Sequence, residues 1–128
     1  MVWIPAGTFQ MGRYSGEQII HVLTTAWTGF RSAVHESGSR PAAIHTGFWG
    51  CGAFGGNRVL MAMLQVIAAG AAGVDRLVFH APGESGAAAL DSALRTIRKD
   101  LGGPPIGSAD LVRRMGAMGF EWGESDGN

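Results

Sequence analysis

Residues 41–60 read Pro41-Ala42-Ala43-Ile44-His45-Thr46-Gly47-Phe48-Trp49-Gly50-Cys51-Gly52-Ala53-Phe54-Gly55-Gly56-Asn57-Arg58-Val59-Leu60, and this stretch decides the fold. Its first six residues are short and mostly apolar, as a buried parallel strand is. The next ten contain five glycines, a density that regular structure does not tolerate. Asn57 is a natural helix cap, and Leu60, Met61, Leu64, Ile67, Ala68 and Ala71 then recur at helical spacing, supplying one buried face. The stretch is a strand, a glycine loop and a helix in succession.

Working outward, Gly73 closes that helix and Arg76-Leu77-Val78-Phe79-His80 reads as the next strand. Ala81-Pro82-Gly83-Glu84-Ser85-Gly86 turns the chain, and a helix begins at Ser85 or Gly86, using Ala89, Leu90, Ala93, Leu94 and Ile97. Upstream, Ser15-Gly16-Glu17-Gln18 is a capping box, followed by an apolar stripe of Ile20, Leu23, Trp27, Phe30 and Val34. Gly38 and Pro41 end that helix, while residues 1–4 are a possible first strand with Pro5 near its end. Short strands alternating with longer helices predict a layered α/β sheet with right-handed crossovers. Three strands make a small sheet, so an edge needs cover.

Beyond Leu101 the pattern changes. Gly102-Gly103-Pro104-Pro105 breaks the chain, Ser108 caps a short helix bearing Leu111, Val112, Met115 and Met118, and the end after Glu124 is expected to fray. Phe120 and Trp122 need a surface to pack on, in this chain or in a partner. The expected organisation is an α/β core over residues 1–100 and a linker, short helix and tail over 101–128.

A chain of 128 residues fits one domain with a real core. Ten basic and ten acidic residues cancel, which argues against direct sequence-specific nucleic-acid binding driven by bulk charge. Cys51 is the only cysteine, so neither an internal disulfide nor a thiolate zinc site is available, in keeping with a cytoplasmic protein. No signal peptide and no membrane span is read, since Gln65 and two glycines interrupt the longest apolar region, residues 59–74.

The loop carries the candidate chemistry. Glycines permit positive φ and close backbone approach, so successive amide N–H groups can converge on phosphate oxygens, and the following helix adds its own unpaired donors. The candidate ligand-binding residues are Gly47, Phe48, Trp49, Gly50, Cys51, Gly52, Ala53, Phe54, Gly55 and Gly56. The aromatic members can wall a ribose or base, or simply fasten the loop to the core. Loop composition alone leaves phosphate binding and a structural turn both open. The spacing matches neither the dinucleotide fingerprint nor the P-loop, which ends in Gly-Lys-Ser or Gly-Lys-Thr.

His45 and His80 lie at strand ends and can face a common point, but they lack a third ligand, so no metal and no cofactor is expected. A buried, hydrogen-bonded histidine is the ordinary alternative to a phosphate or ribose contact. His21 and His35 fall off the apolar stripe and read as surface residues. Cys51 reads as a packing residue within the loop rather than a nucleophile.

The run Thr46-Gly47-Phe48-Trp49-Gly50-Cys51-Gly52-Ala53-Phe54-Gly55-Gly56-Asn57, followed by Leu60, Leu64-Gln65 and Ala68-Ala69, resembles the diphosphate-loop signature of the poly(ADP-ribose) glycohydrolases. Ile4-Pro5-Ala6 with Phe9, Ala26-Trp27-Thr28-Gly29-Phe30, and the strand after Asp75 extend the likeness over roughly residues 1–83. The resemblance implies a minimal or truncated macro-domain-like three-layer α/β/α fold. It implies as ligand ADP-ribose, free or on an ADP-ribosylated macromolecule, with self-association or a partner chain completing the fold. By the resemblance, the family's catalytic Gln-Glu-Glu, after a Gly-Gly-Gly loop, is placed before the segment matched here, and no Gln-Glu-Glu occurs in this sequence. Phe48 stands where asparagine is usual and Asn57 where aspartate is, while Ala81 replaces a ligand-facing phenylalanine, followed by Pro82 and Gly83 in place of Gly-Asp. Glycosidic cleavage needs an acid at the leaving oxygen. Glu84, just past a strand end, is the one weak catalytic candidate; Glu17 and Glu36 read as solvated helix-end residues.

Overall fold

The computed structural model describes residues 12–52, 54–104 and 106–123. The expected strand over residues 1–4 lies outside them. Helix α1 (Gly16–Ser37) opens on the capping box read from sequence: the Ser15 side chain accepts from Gln18 N–H at 3.2 Å, and Gln18 Oε1 accepts from Ser15 N–H at 2.8 Å. Its buried residues are Ile19, Leu23, Ala26 and Phe30. The expected stripe shared only Leu23 and Phe30 with that face, for Ile20 and Trp27 are exposed, Trp27 at 44%. Helix α2 (Arg58–Ala72) explains the shift. It packs on α1, and Ala26, Ala62, Ala68 and Ala72 are all fully buried, small residues of the kind that let two helices approach closely.

Strand β1 (Ala43–Thr46) and strand β2 (Arg76–Phe79) pair in parallel, Ala43 with Arg76 and Thr46 with Phe79, with α2 as the crossover between them. Asn57 caps α2 by accepting from Leu60 N–H at 3.0 Å. Gly73, at φ +76°, ends the helix in the left-handed region, and Arg31 reaches across from α1 to donate to the Ala72 carbonyl at 3.2 Å. Asp75 then sets the register by accepting from Ala42 N–H at 2.7 Å.

Ile44, Leu77 and Phe79 pack against the core. Ala43, His45, Arg76 and His80 are exposed, so the strands are not buried on both faces as their apolar composition suggested. Alternation of side chains along a strand sends Ile44 and His45 to opposite sides, and helix cover over the described residues reaches the Ile44 side.

Helix α3 (Gly83–Thr96) begins two residues before Ser85, with Pro82 at the cap position and no side-chain cap. It continues into a π-helical turn, Ile97–Leu101. Helix α4 (Ser108–Ala117) packs on α1 through the fully buried Met115. After it, residues 120–123 run antiparallel to residues 12–14: Tyr14 N–H donates to the Phe120 carbonyl at 3.0 Å and Trp122 N–H to the Gly12 carbonyl at 2.8 Å. Trp122 stacks on Tyr14 at 4.3 Å between ring centres, which answers where the late aromatic residues pack. No helix among the described residues is long and apolar enough to cross a membrane.

Candidate functional site

The glycine loop leaves β1 at a point fixed by one buried polar side chain. Gln65 on α2 has no exposed surface; its Nε2 donates to the Gly47 carbonyl at 2.8 Å, and its Oε1 accepts from the Thr46 hydroxyl. A buried amide is tolerated because it is bonded on both ends, and those bonds tie the strand end and the loop entrance to the helix.

The loop then closes on itself. Gly56 N–H donates to the Gly50 carbonyl at 2.8 Å, Gly55 N–H to the Gly52 carbonyl at 3.0 Å, and Cys51 N–H to the Phe48 carbonyl at 3.4 Å. Three glycines are required by geometry: Gly50 and Gly55 sit at φ +64°, and a Cβ on Gly56 would stand 2.7 Å from the Gly50 oxygen. Asn57 N–H donates to the Tyr14 hydroxyl at 2.9 Å. Of the six described amides of residues 50–56, expected to converge outward as a nest, those of Cys51, Gly55 and Gly56 are therefore spent on internal acceptors. Among the described residues, no backbone or side-chain oxygen accepts from the N–H of Gly50, Gly52 or Phe54.

The loop's aromatic residues separate into different roles. Trp49 meets Phe30 edge to face at 5.8 Å and fastens the loop to α1. Phe48 meets Phe79 edge to face at 5.0 Å and presents its ring to a cavity. Phe54 is exposed and lies outside that cavity's lining, as do Gly47, Gly50, Gly55 and Gly56. Ala53 is outside the described residues.

The cavity measures about 580 Å³ and is lined by Phe48, Cys51, Gly52, Arg58, His80, Ala81 and Pro82. It lies at the carboxyl ends of the strands, where open parallel sheets place ligands. Arg58, the first residue of α2, holds its Cζ 5.6 Å from the centre of the Phe48 ring and donates from Nη1 to Ser85 Oγ at 3.2 Å. Gly86 on α3 allows this closure, for a Cβ there would stand 3.0 Å from the Ala81 carbonyl carbon and 3.4 Å from the Phe48 ring. Glu84 is exposed on the first turn of α3 and is absent from the lining, which contains no carboxylate among the described residues.

Cys51 is 7% exposed, and burial pushes its thiol up to about 12, with Arg58 pulling the other way. At neutral pH it is a protonated packing group whose Sγ lies 3.4 Å from the Trp49 carbonyl. Burial likewise pushes the Tyr14 phenol up to about 12, against the lowering pull of the Asn57 amide.

His45 Nδ1 and His80 Nε2 stand 3.0 Å apart, one donating and the other accepting. The sequence brought them to a common point, but on an exposed surface rather than in the core. Among the described residues no group of three His, Cys, Asp or Glu side chains could hold a metal.

The model of one family, described as poly(ADP-ribose) glycohydrolase (PARG), macro domain fold, matches residues 1–88, more than half of the chain. The chain belongs to this family. Its fold is accordingly a minimal macro-domain-like α/β arrangement, and the match spans the glycine loop and every residue lining the cavity. No solved structure matches the chain.

The roles of three residues important to the geometry, Arg58, Gln65 and Tyr14, escaped sequence reading. Arg58 left a trace, being a cation directly after a helix cap, where the dipole disfavours positive charge. Gln65 left one too, as a polar interruption of an apolar helix. The Tyr14 contact with the loop left none, because it joins residues 43 positions apart.

Proposed function

We propose that this chain binds ADP-ribose or ADP-ribosyl groups in the cavity beside its glycine loop. The observation that carries the reading is the cavity itself: in a chain of the PARG macro-domain family, it opens between the loop, the strand ends and two helix N-termini. Phe48 offers an aromatic wall for ribose or base, and Gly52, whose N–H has no acceptor among the described residues, lines the same space and is the proposed donor to a diphosphate oxygen. Phe54 and the remaining residues of 47–56 act by shaping the loop. Ala81, a small residue, leaves room where a bulkier one would fill the cavity.

The reading is recognition without glycosidic cleavage. Protonating a leaving ribose oxygen requires an acid beside it, and the described residues of the cavity lining supply none. Glu84 is the acid to test, because it follows the lining residue Pro82 by two positions.

Calorimetric titration with ADP-ribose tests the reading. Saturable heat is expected from the unaltered protein, with strong loss in Gly52→Val and none in Glu36→Gln, whose side chain is exposed at the far end of α1. Absence of heat in a measurement sensitive to millimolar affinity, or equal binding by the two variants, would overturn it. Incubation with poly(ADP-ribose) is expected to release no product; release that disappears in Glu84→Gln would make the chain a hydrolase.

A further inference from the structure

We propose that Arg58 is the charged anion contact of this cavity, and that with Ser85 it selects ligands carrying a phosphoryl group at the junction of α2 and α3. The inference rests on the ADP-ribose reading for the identity of the whole ligand, but not for the phosphoryl contact.

Arg58 occupies the first helical position of α2, where the unpaired N–H groups already concentrate positive charge, and no acidic residue accompanies it in that turn. No carboxylate among the described residues lies within ion-pair distance of it, whereas Arg95, Arg113 and Arg114 each reach an aspartate. A cation is thus held where helix electrostatics oppose it, with no protein counterion, on the wall of a cavity without a carboxylate.

Its side chain is also prepositioned. The Phe48 ring lies under the guanidinium and Ser85 Oγ takes a hydrogen bond from one nitrogen, which fixes the plane of the group while using only one of its five N–H donors. The free donors form a planar fork matched to two oxygens of a phosphoryl group. Helix α3 starts at the same wall with no side-chain cap over its first amides, so a second oxygen acceptor finds donors there. The glycine loop has fewer donors to offer than its composition suggests, because the N–H groups of Cys51, Gly55 and Gly56 are already bonded internally. Charge from a side chain replaces what the backbone has committed elsewhere.

The test titrates inorganic pyrophosphate and, separately, ADP-ribose into the full chain and into Arg58→Gln, Arg58→Lys and Ser85→Ala, with thermal melting of each. Loss of one charge-assisted bond corresponds to about tenfold weaker binding or more. Arg58→Gln is expected to weaken both probes by at least about that factor, Arg58→Lys to restore part of it, and Ser85→Ala to cost less. The melting temperature of Arg58→Gln is expected to hold or rise, since a charge unfavourable to the helix start is removed. A fall in melting temperature with pyrophosphate affinity unchanged would assign Arg58 a purely structural role and overturn the inference. Arg58-dependent pyrophosphate binding without ADP-ribose binding would sustain the inference and sink the ADP-ribosyl reading. Equal ADP-ribose affinity in the unaltered chain and Arg58→Gln would do the reverse. No binding of either probe to the unaltered chain would end both.

Discussion

Replacing Gln65 with leucine tests how the loop is held. The substitution conserves approximate volume at a site with no exposed surface, so cavity formation contributes little. What it removes is the 2.8 Å bond to the Gly47 carbonyl and the acceptor for the Thr46 hydroxyl. Each polar group left without a partner costs about 1–3 kcal/mol, and both sit where solvent reaches only in part. A combined loss of about 2–4 kcal/mol follows, against a total stability of about 5–15 kcal/mol for an ordinary domain. At roughly 4 °C per kcal/mol for a chain of this size, the melting temperature should fall by roughly 8–16 °C. Differential scanning calorimetry reads this directly, and Thr46→Val should cost about 1–3 kcal/mol, because it leaves the buried Gln65 Oε1 without its donor. In the double variant the two losses should sum to less than their separate values, since the Thr46 hydroxyl is no longer present to be orphaned. A Gln65→Leu protein that melts within about 2 °C of the original would refute the claim that this amide anchors the loop.

Two glycines make opposite predictions. Gly56→Ala forces a Cβ to within 2.7 Å of the Gly50 oxygen and should destabilise by about 1–3 kcal/mol while impairing ADP-ribose binding, whereas Gly70→Ala, inside α2 with open space around its Cβ, should stabilise by about 0.5–1 kcal/mol in urea titrations. Tyr14 is the chain's single tyrosine, so phenolate absorbance reports it alone, and its native midpoint should stand near pH 12, moving to about 10 on unfolding. Because the folded chain keeps protons that the unfolded chain releases, stability should be insensitive to both Tyr14 and Cys51 below about pH 9 and fall as pH rises from about 9 to 12; unchanged urea midpoints across that window would contradict the burial of these groups. Cys51 should resist alkylation in the native protein at pH 8 and react promptly in denaturant. Met115→Ala, emptying a fully buried site on α4, should cost about 2–5 kcal/mol, and a negligible loss would mean that α4 does not dock on α1.

Local signals in the sequence located the elements well where the chemistry is local. The capping box at Ser15, the Asn57 cap and Gly73 fix helix ends through bonds within a few residues, and each appears in the fold as read. The phase of α1 was less legible: Ile20 matches Ile19 in hydrophobicity and Trp27 exceeds Ala26, yet Ile19 and Ala26 are the buried members. The loop's position between strand and helix was plain, whereas the direction of its amides depends on carbonyls brought near by closure. Gly56 bonding to Gly50 is a matter of three-dimensional return, not of composition. The cavity joins Phe48 to Pro82 and Arg58 to Ser85, pairs set by the parallel register of β1 and β2, which periodicity does not encode.

The short antiparallel contact after α4 reaches further than its size suggests. Gly123 N–H donates to the Gly55 carbonyl at 2.7 Å and the Glu121 carbonyl accepts from Asn57 Nδ2 at 3.0 Å, so residues more than sixty positions apart in sequence brace the rear of the loop. Such distant pairings carry a large closure entropy and form after the local helices. Nascent chains would thus acquire a competent binding surface only at the last stage of folding, and a bound molecule would lengthen the lifetime of the native state without hastening its arrival.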